Sequence, residues 1–103
     1  MDLVRTVYQV TKKFPKDELY GLTNQIRRAA VSIPSNIAEG AARTGKREFL
    51  QYLSIAKGSL SELETQLLIA KSLDYLRYDH ELFESLERVA SLLNGLAAKL
   101  SRS

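Results

Sequence analysis

Between Lys46 and Leu73 the apolar residues Phe49, Leu53, Ala56, Leu60, Leu63, Leu67 and Ala70 fall at alternating steps of four and three without a break. That is the period of an α-helix with one face turned to a core. At 1.5 Å per residue the segment is about 40 Å long. A helix of this length with one apolar seam needs long partners, because no short element covers it.

The rest of the sequence supplies them. Leu82, Leu86, Val89, Leu93, Leu96 and Leu100 repeat the pattern after DYLRYD, which reads as a turn with Asp79 as a cap. Upstream, Val4, Val7, Thr11 and Phe14 mark a first helix that Pro15 stops, since the residue before a proline is pushed out of the α region. KDELYGL reads as a turn or a single coil, and Thr23 as the cap of a second helix. That helix carries Ile26, Ala30, Ile33 and Ile37 on one face, running to Glu39, with Gly40 placed for a left-handed end. No segment alternates with period two as a strand does. Short connections between long helices predict an all-α fold, an antiparallel up-down four-helix bundle formed by residues 1–103 as one domain.

Pro34 sits inside the second helix, where it removes a backbone donor and crowds the Ala30 carbonyl. Small neighbours and the polar Ser32, Ser35 and Asn36 soften the insult. A helix kinked near Pro34 is the reading adopted, and a fresh start capped by Ser32 is the alternative. Either arrangement redirects Asn36, Glu39 and Gly40.

Charge is uneven along the chain. Residues 1–57 carry +5 and residues 58–103 carry −2, within an overall +3. A polyanion is therefore a reasonable partner, although solvated helix faces also carry such imbalances. The chain has no cysteine, which removes disulfides and thiolate metal sites and fits a reducing cytoplasm. MDLVRTVYQVTKKF lacks the apolar run of a signal peptide, and no window has the roughly twenty apolar residues of a membrane span. A cytoplasmic protein without a membrane partner is expected.

Apolar residues also lie outside the main seams. Phe83, Ala90 and Ala97 form a second line on helix four, and Leu50, Ile55, Leu68 and Ile69 add to helix three. Surplus apolar surface of this kind favours self-association, with Phe83, Ala90 and Ala97 as the candidate oligomer interface.

The stretch FPKDELYGLTNQIRRAAVSIPSNIAEGAARTGKREFLQYLSIAKGSLSELETQL resembles the hallmark region of the 23S ribosomal RNA intervening-sequence proteins. These are small bacterial four-helix bundles, to which the accessory proteins of diversity-generating retroelements are similar. FP, YGLT, SIPSNIAEG and FLQYL carry the resemblance in this order and spacing, and it extends from about Val7 into helix four. The resemblance implies an antiparallel bundle that assembles as a ring-like homopentamer, with nucleic-acid binding suspected from basic surfaces. Its relatives begin the first helix upstream of the position of Met1, with an aromatic residue in it, and this chain departs from that pattern.

Arg27, Arg28, Arg43, Lys46 and Arg47 are the candidate nucleic-acid-binding residues, because clustered guanidinium forks suit phosphate. A solvated face or salt bridges between subunits accounts for the same residues. Aromatic platforms for stacking are few, with Tyr20 and Tyr52 the candidates for exposure. Pro34, Ser35, Asn36, Glu39 and Gly40 read as a structural polar motif, which together with Gln51 and Tyr52 is favoured over a ligand site. Glu39 is expected to pair with Arg43 or Arg47. His80 and Glu84 lie one turn apart, but the paired Glu-x-x-His motifs of a di-iron bundle are missing, so no metal is expected. With no catalytic constellation and no cofactor motif, the chain is expected to be non-enzymatic. Two functional readings follow. In one, an oligomer binds RNA or DNA backbone through its basic patch. In the other, it is a scaffold docking an acidic protein partner such as a nucleic-acid enzyme.

Overall fold

The periodic segments become four α-helices in the computed structural model, which describes residues 1–102. They are α1 (Asp2–Thr11), α2 (Leu22–Ala41), α3 (Lys46–Ser72) and α4 (His80–Arg102). A single 3₁₀ turn, Lys16–Glu18, joins α1 to α2, and there is no strand among the described residues. The described chain measures 46 × 25 × 19 Å.

The core is the one the periodicity implies. Leu53, Ala56, Leu60, Leu63, Leu67 and Ala70 of α3 are buried, as are Leu82, Leu86, Val89 and Leu93 of α4. Ile26, Ala29, Ala30 and Ile33 of α2 and Leu3 and Val7 of α1 complete it. Each helix packs on the next in sequence, and α4 returns to α1. Neither α1 and α3 nor α2 and α4 bring their Cα atoms within 8 Å of each other among the described residues. The helices therefore stand at four corners around one core.

Contact is most extensive between α2 and α3. Small side chains make this possible. Ser32 and Ser59 hydrogen-bond hydroxyl to hydroxyl at 2.8 Å, and Gly40 is buried against Phe49 and Tyr52.

Helix boundaries differ from the sequence reading in three places. α1 ends at Thr11, not at Phe14, and Phe14 N–H donates instead to the Thr11 carbonyl at 3.1 Å in a tightened turn. Thr23 is not the cap of α2. Gly21 holds that position, the Glu18 carboxylate accepts from Leu22 N–H at 3.4 Å, and Thr23 is buried inside the helix. Gly40 is not a left-handed terminus either. α2 continues to Ala41, the capping residue Ala42 is right-handed, and no glycine has a positive φ among the described residues. Its value is closeness, because a side chain there would collide with α3. The helix also runs through Pro34 in one piece, so Ser32 starts no fresh helix.

The α3–α4 corner does use a left-handed residue, Asp74 at φ 63°. Asp74 N–H donates to the Lys71 carbonyl at 3.0 Å and Tyr75 N–H to the Ala70 carbonyl at 2.9 Å, the paired bonds of a Schellman ending. Asp79 then caps α4 as expected, its carboxylate accepting from Leu82 N–H at 3.0 Å. Tyr75 ties the corner to the 3₁₀ turn. Its hydroxyl donates to Glu18 at 2.9 Å, and its ring lies 5.8 Å from that of Phe14.

α1 is much shorter than the helices it flanks. Its first residues, Met1 to Leu3, share a shallow groove with Ser85, Val89 and Leu92. Ile37, Phe49, Leu96, Ala97 and Leu100 are only partly buried.

Candidate nucleic-acid interface

The five cations singled out in the sequence occupy two places, at opposite ends of α2. Arg27 and Arg28 lie in its second turn beside α1, whereas Arg43, Lys46 and Arg47 surround the Ala42–Gly45 connection. The helical rise separates the groups by about 24 Å along α2.

Arg27 is held firmly. Its Nε donates to Thr11 Oγ1 at 2.8 Å, and its guanidinium carbon sits 4.7 Å from the centre of the Tyr8 ring. Thr11 in turn donates to the Val7 carbonyl at 2.8 Å. This chain of contacts orients the guanidinium fork along the α1–α2 groove, which Tyr8, Asn24, Arg27, Arg28, Val31 and Ser32 line. Arg28 is exposed and without a hydrogen-bond or ion-pair partner among the described residues.

At the other end Arg43 is the organised member. Its Nη2 donates to Glu39 at 3.0 Å and to the Tyr52 hydroxyl at 2.8 Å, and the guanidinium carbon lies 5.2 Å from the Tyr52 ring centre. The charge interaction with Tyr52 raises the Arg43 pKa above its ordinary value; partial desolvation opposes this, and Glu39 and Glu48 reinforce it. Arginine is charged at every physiological pH in any case. Of the two pairings expected for Glu39, Arg43 is the one that forms. Lys46 and Arg47 are exposed in the first turn of α3.

The polar motif does not form one cluster. Asn36 donates to the Ser32 carbonyl at 2.8 Å and to the Ser32 hydroxyl at 2.9 Å, one turn back along α2. Ser35 and Gln51 are exposed, Pro34 is half-buried, and Gly40 meets α3. Glu39 and Tyr52 are brought together through Arg43, and Gly40 packs against Tyr52. Tyr20 is 91% exposed, while Tyr52 is half-buried.

Phe83 and Ala90 line a groove between α3 and α4, and Ala97 is partly buried farther along α4. His80 Nε2 lies 2.8 Å from Glu84, and Glu84 also meets Arg88 at 3.5 Å. No group of three or more His, Cys, Asp or Glu among the described residues is placed to hold a metal ion. No described helix is long and apolar enough to cross a membrane.

The Tyr8–Arg27–Thr11 arrangement was not legible in the sequence. Thr11 reads as part of the apolar face of helix one, and only the crossing of α1 over α2 turns its hydroxyl into an acceptor for an arginine. A threonine on an otherwise apolar face, with arginines on the next helix, is the weak signal that was available.

A comparison with curated proteins finds no match. The sequence profile described as 23S rRNA-intervening sequence protein matches residues 1–95. With four helices in the expected places and the matched region covering nearly all of them, the chain belongs to the 23S rRNA-intervening sequence protein family.

Proposed function

We propose that this protein is a non-enzymatic, self-associating cytoplasmic bundle that binds RNA or DNA backbone without regard to base sequence, through Arg43, Lys46 and Arg47. One observation carries the reading. Arg47 stands exposed in the first turn of α3, where the helix dipole disfavours a cation. Helix stability does not account for it, and a phosphate ligand does. The N–H groups of that turn also favour an anion. Glu39 is engaged with Arg43, which leaves Glu48 as the competing acid in the turn.

The up-down course of the helices belongs to the same reading. It is supported by the α2–α3 contacts, in which residue numbers rise along α2 from Ser32 to Gly40 while their partners fall along α3 from Ser59 to Phe49. A bend at Pro34 steers the end of α2 and its connection towards the ligand. Family membership favours five copies, so the basic end recurs around the assembly, and weak contacts add through effective concentration.

Salt titration of binding to single-stranded RNA and to duplex DNA tests the proposal. Log affinity falls linearly with log salt, and the Arg43→Gln/Lys46→Gln/Arg47→Gln variant binds unrelated sequences uniformly more weakly, with a slope flatter by about one unit per lost phosphate contact. A folded triple variant with unchanged affinity and slope overturns it, and a scaffold that docks an acidic protein partner such as a nucleic-acid enzyme then takes its place.

A further inference from the structure

The groove between α3 and α4 has an apolar floor and acidic walls. Leu68, Phe83, Leu86 and Ala90 line it with Glu64 and Glu87, in a volume of about 380 Å³. Leu68 is 59% exposed, although it stands beside the main seam of α3. Neither Glu64 nor Glu87 has a hydrogen-bond or ion-pair partner among the described residues, whereas Glu84 on the same helix as Glu87 meets both His80 and Arg88. The occupant that suits this surface is apolar with a positive charge. A nucleic acid is the wrong sign.

The α1–α2 groove has the opposite character. Tyr8 and Val31 are its exposed apolar residues, Arg27 and Arg28 supply charge, and no carboxylate lines it. Tyr8 is braced by Arg27, and Arg27 by Thr11, so the face is stiff. Because the helices sit at four corners in chain order, the two grooves lie on opposite sides of the bundle.

We propose that these two faces are the complementary halves of one contact between copies of this chain. Tyr8 and Val31 of one protomer seat on Leu68 and Phe83 of its neighbour, and Arg28 lies between the neighbour's two unpaired carboxylates. The inference rests on the self-association proposed above and adds the surfaces that carry it. Two different surfaces on opposite sides make the contact heterologous, so copies join head to tail and close into a ring where the rotation permits. Charge complementarity selects this partner over an unrelated one, since the chain itself presents the apolar, basic face that the acidic groove lacks. Arg28 is thereby withdrawn from phosphate binding, which leaves that role to the far end of α2.

Light scattering at matched concentration tests this with the full chain, alongside circular dichroism to verify helical folding. The parent protein is expected as a finite multimer of the 11.6 kDa chain. Arg28→Glu alone, and Glu64→Lys with Glu87→Lys, are each expected to lower the mass several-fold while remaining helical. Combining all three substitutions restores opposite charges across the contact and is expected to restore the mass. A multimeric parent whose mass neither set of reversals changes overturns this pairing of faces and leaves self-association standing, as does a combined variant that stays dissociated. A parent that remains monomeric overturns both.

Discussion

Gly40 of α2 and Tyr52 of α3 approach so closely that a methyl group on Gly40 would lie 2.7 Å from the Tyr52 Cβ and 3.0 Å from a Phe49 ring carbon. Both neighbours are fixed in the α2–α3 contact, Tyr52 by its Cβ and its hydrogen bond to Arg43. Gly40→Ala therefore forces the helices apart. The overpacking costs about 1–3 kcal/mol and outweighs the roughly 1 kcal/mol that alanine gains in helix propensity. Thermal unfolding is expected to shift down by several degrees. A variant as stable as the parent would mean that α2 and α3 separate here without cost.

Gly58 and Gly95 are the counterexamples, because a Cβ at either meets nothing within 4 Å. Both lie inside helices. Gly58→Ala and Gly95→Ala are each expected to stabilise the chain by roughly 0.5–1 kcal/mol through the unfolded state. A loss of assembly without a loss of stability would identify either position as one that another copy approaches.

Asp74 holds the left-handed position of the Schellman ending. Asp74→Gly relieves that conformation and is expected to raise stability by about 0.5–1 kcal/mol in denaturant titration. No change would indicate that the aspartate side chain compensates for its own backbone.

Tyr75 donates to the Glu18 carboxylate, and this bond, with burial and the nearby negative charge, raises the phenol above its ordinary pKa of 10.0. The sign follows from the favoured form. A raised folded-state value means that stability is fully present below pH 10.0 and is lost as pH climbs through the folded value. Ultraviolet titration of the parent should contain a tyrosine that ionises late, and Tyr75→Phe should lack it and show a weaker alkaline loss of stability. Identical alkaline unfolding curves would count against the bond.

Most of the fold was legible because it rests on repetition. The seam from Leu53 to Ala70 and the line from Leu82 to Leu93 became the core, since four-and-three spacing admits one burial pattern. Terminal residues were less legible. Thr23 has the right chemistry for a cap, but burying it in the core takes precedence over using its hydroxyl at the surface. Gly40 has the right type for a left-handed end, yet a long-range approach of α3, invisible in local sequence, is what requires a glycine there. The basic residues were identifiable one by one. Their division between two ends of α2 depends on the helical rise, and the lock on Arg27 depends on the crossing of α1.

The uneven burial along the bundle has a consequence for how the molecule opens. Ile37, Phe49, Leu96 and Leu100 are only partly buried, whereas Leu67 and Leu82 are fully withdrawn from water. Local opening free energies follow such burial. Amide hydrogens near Phe49 and Leu100 should therefore exchange with solvent sooner than those near Leu67. Arg43, Lys46 and Arg47 ride on that looser pole, and a bound polyanion there would be read as slowed exchange across it.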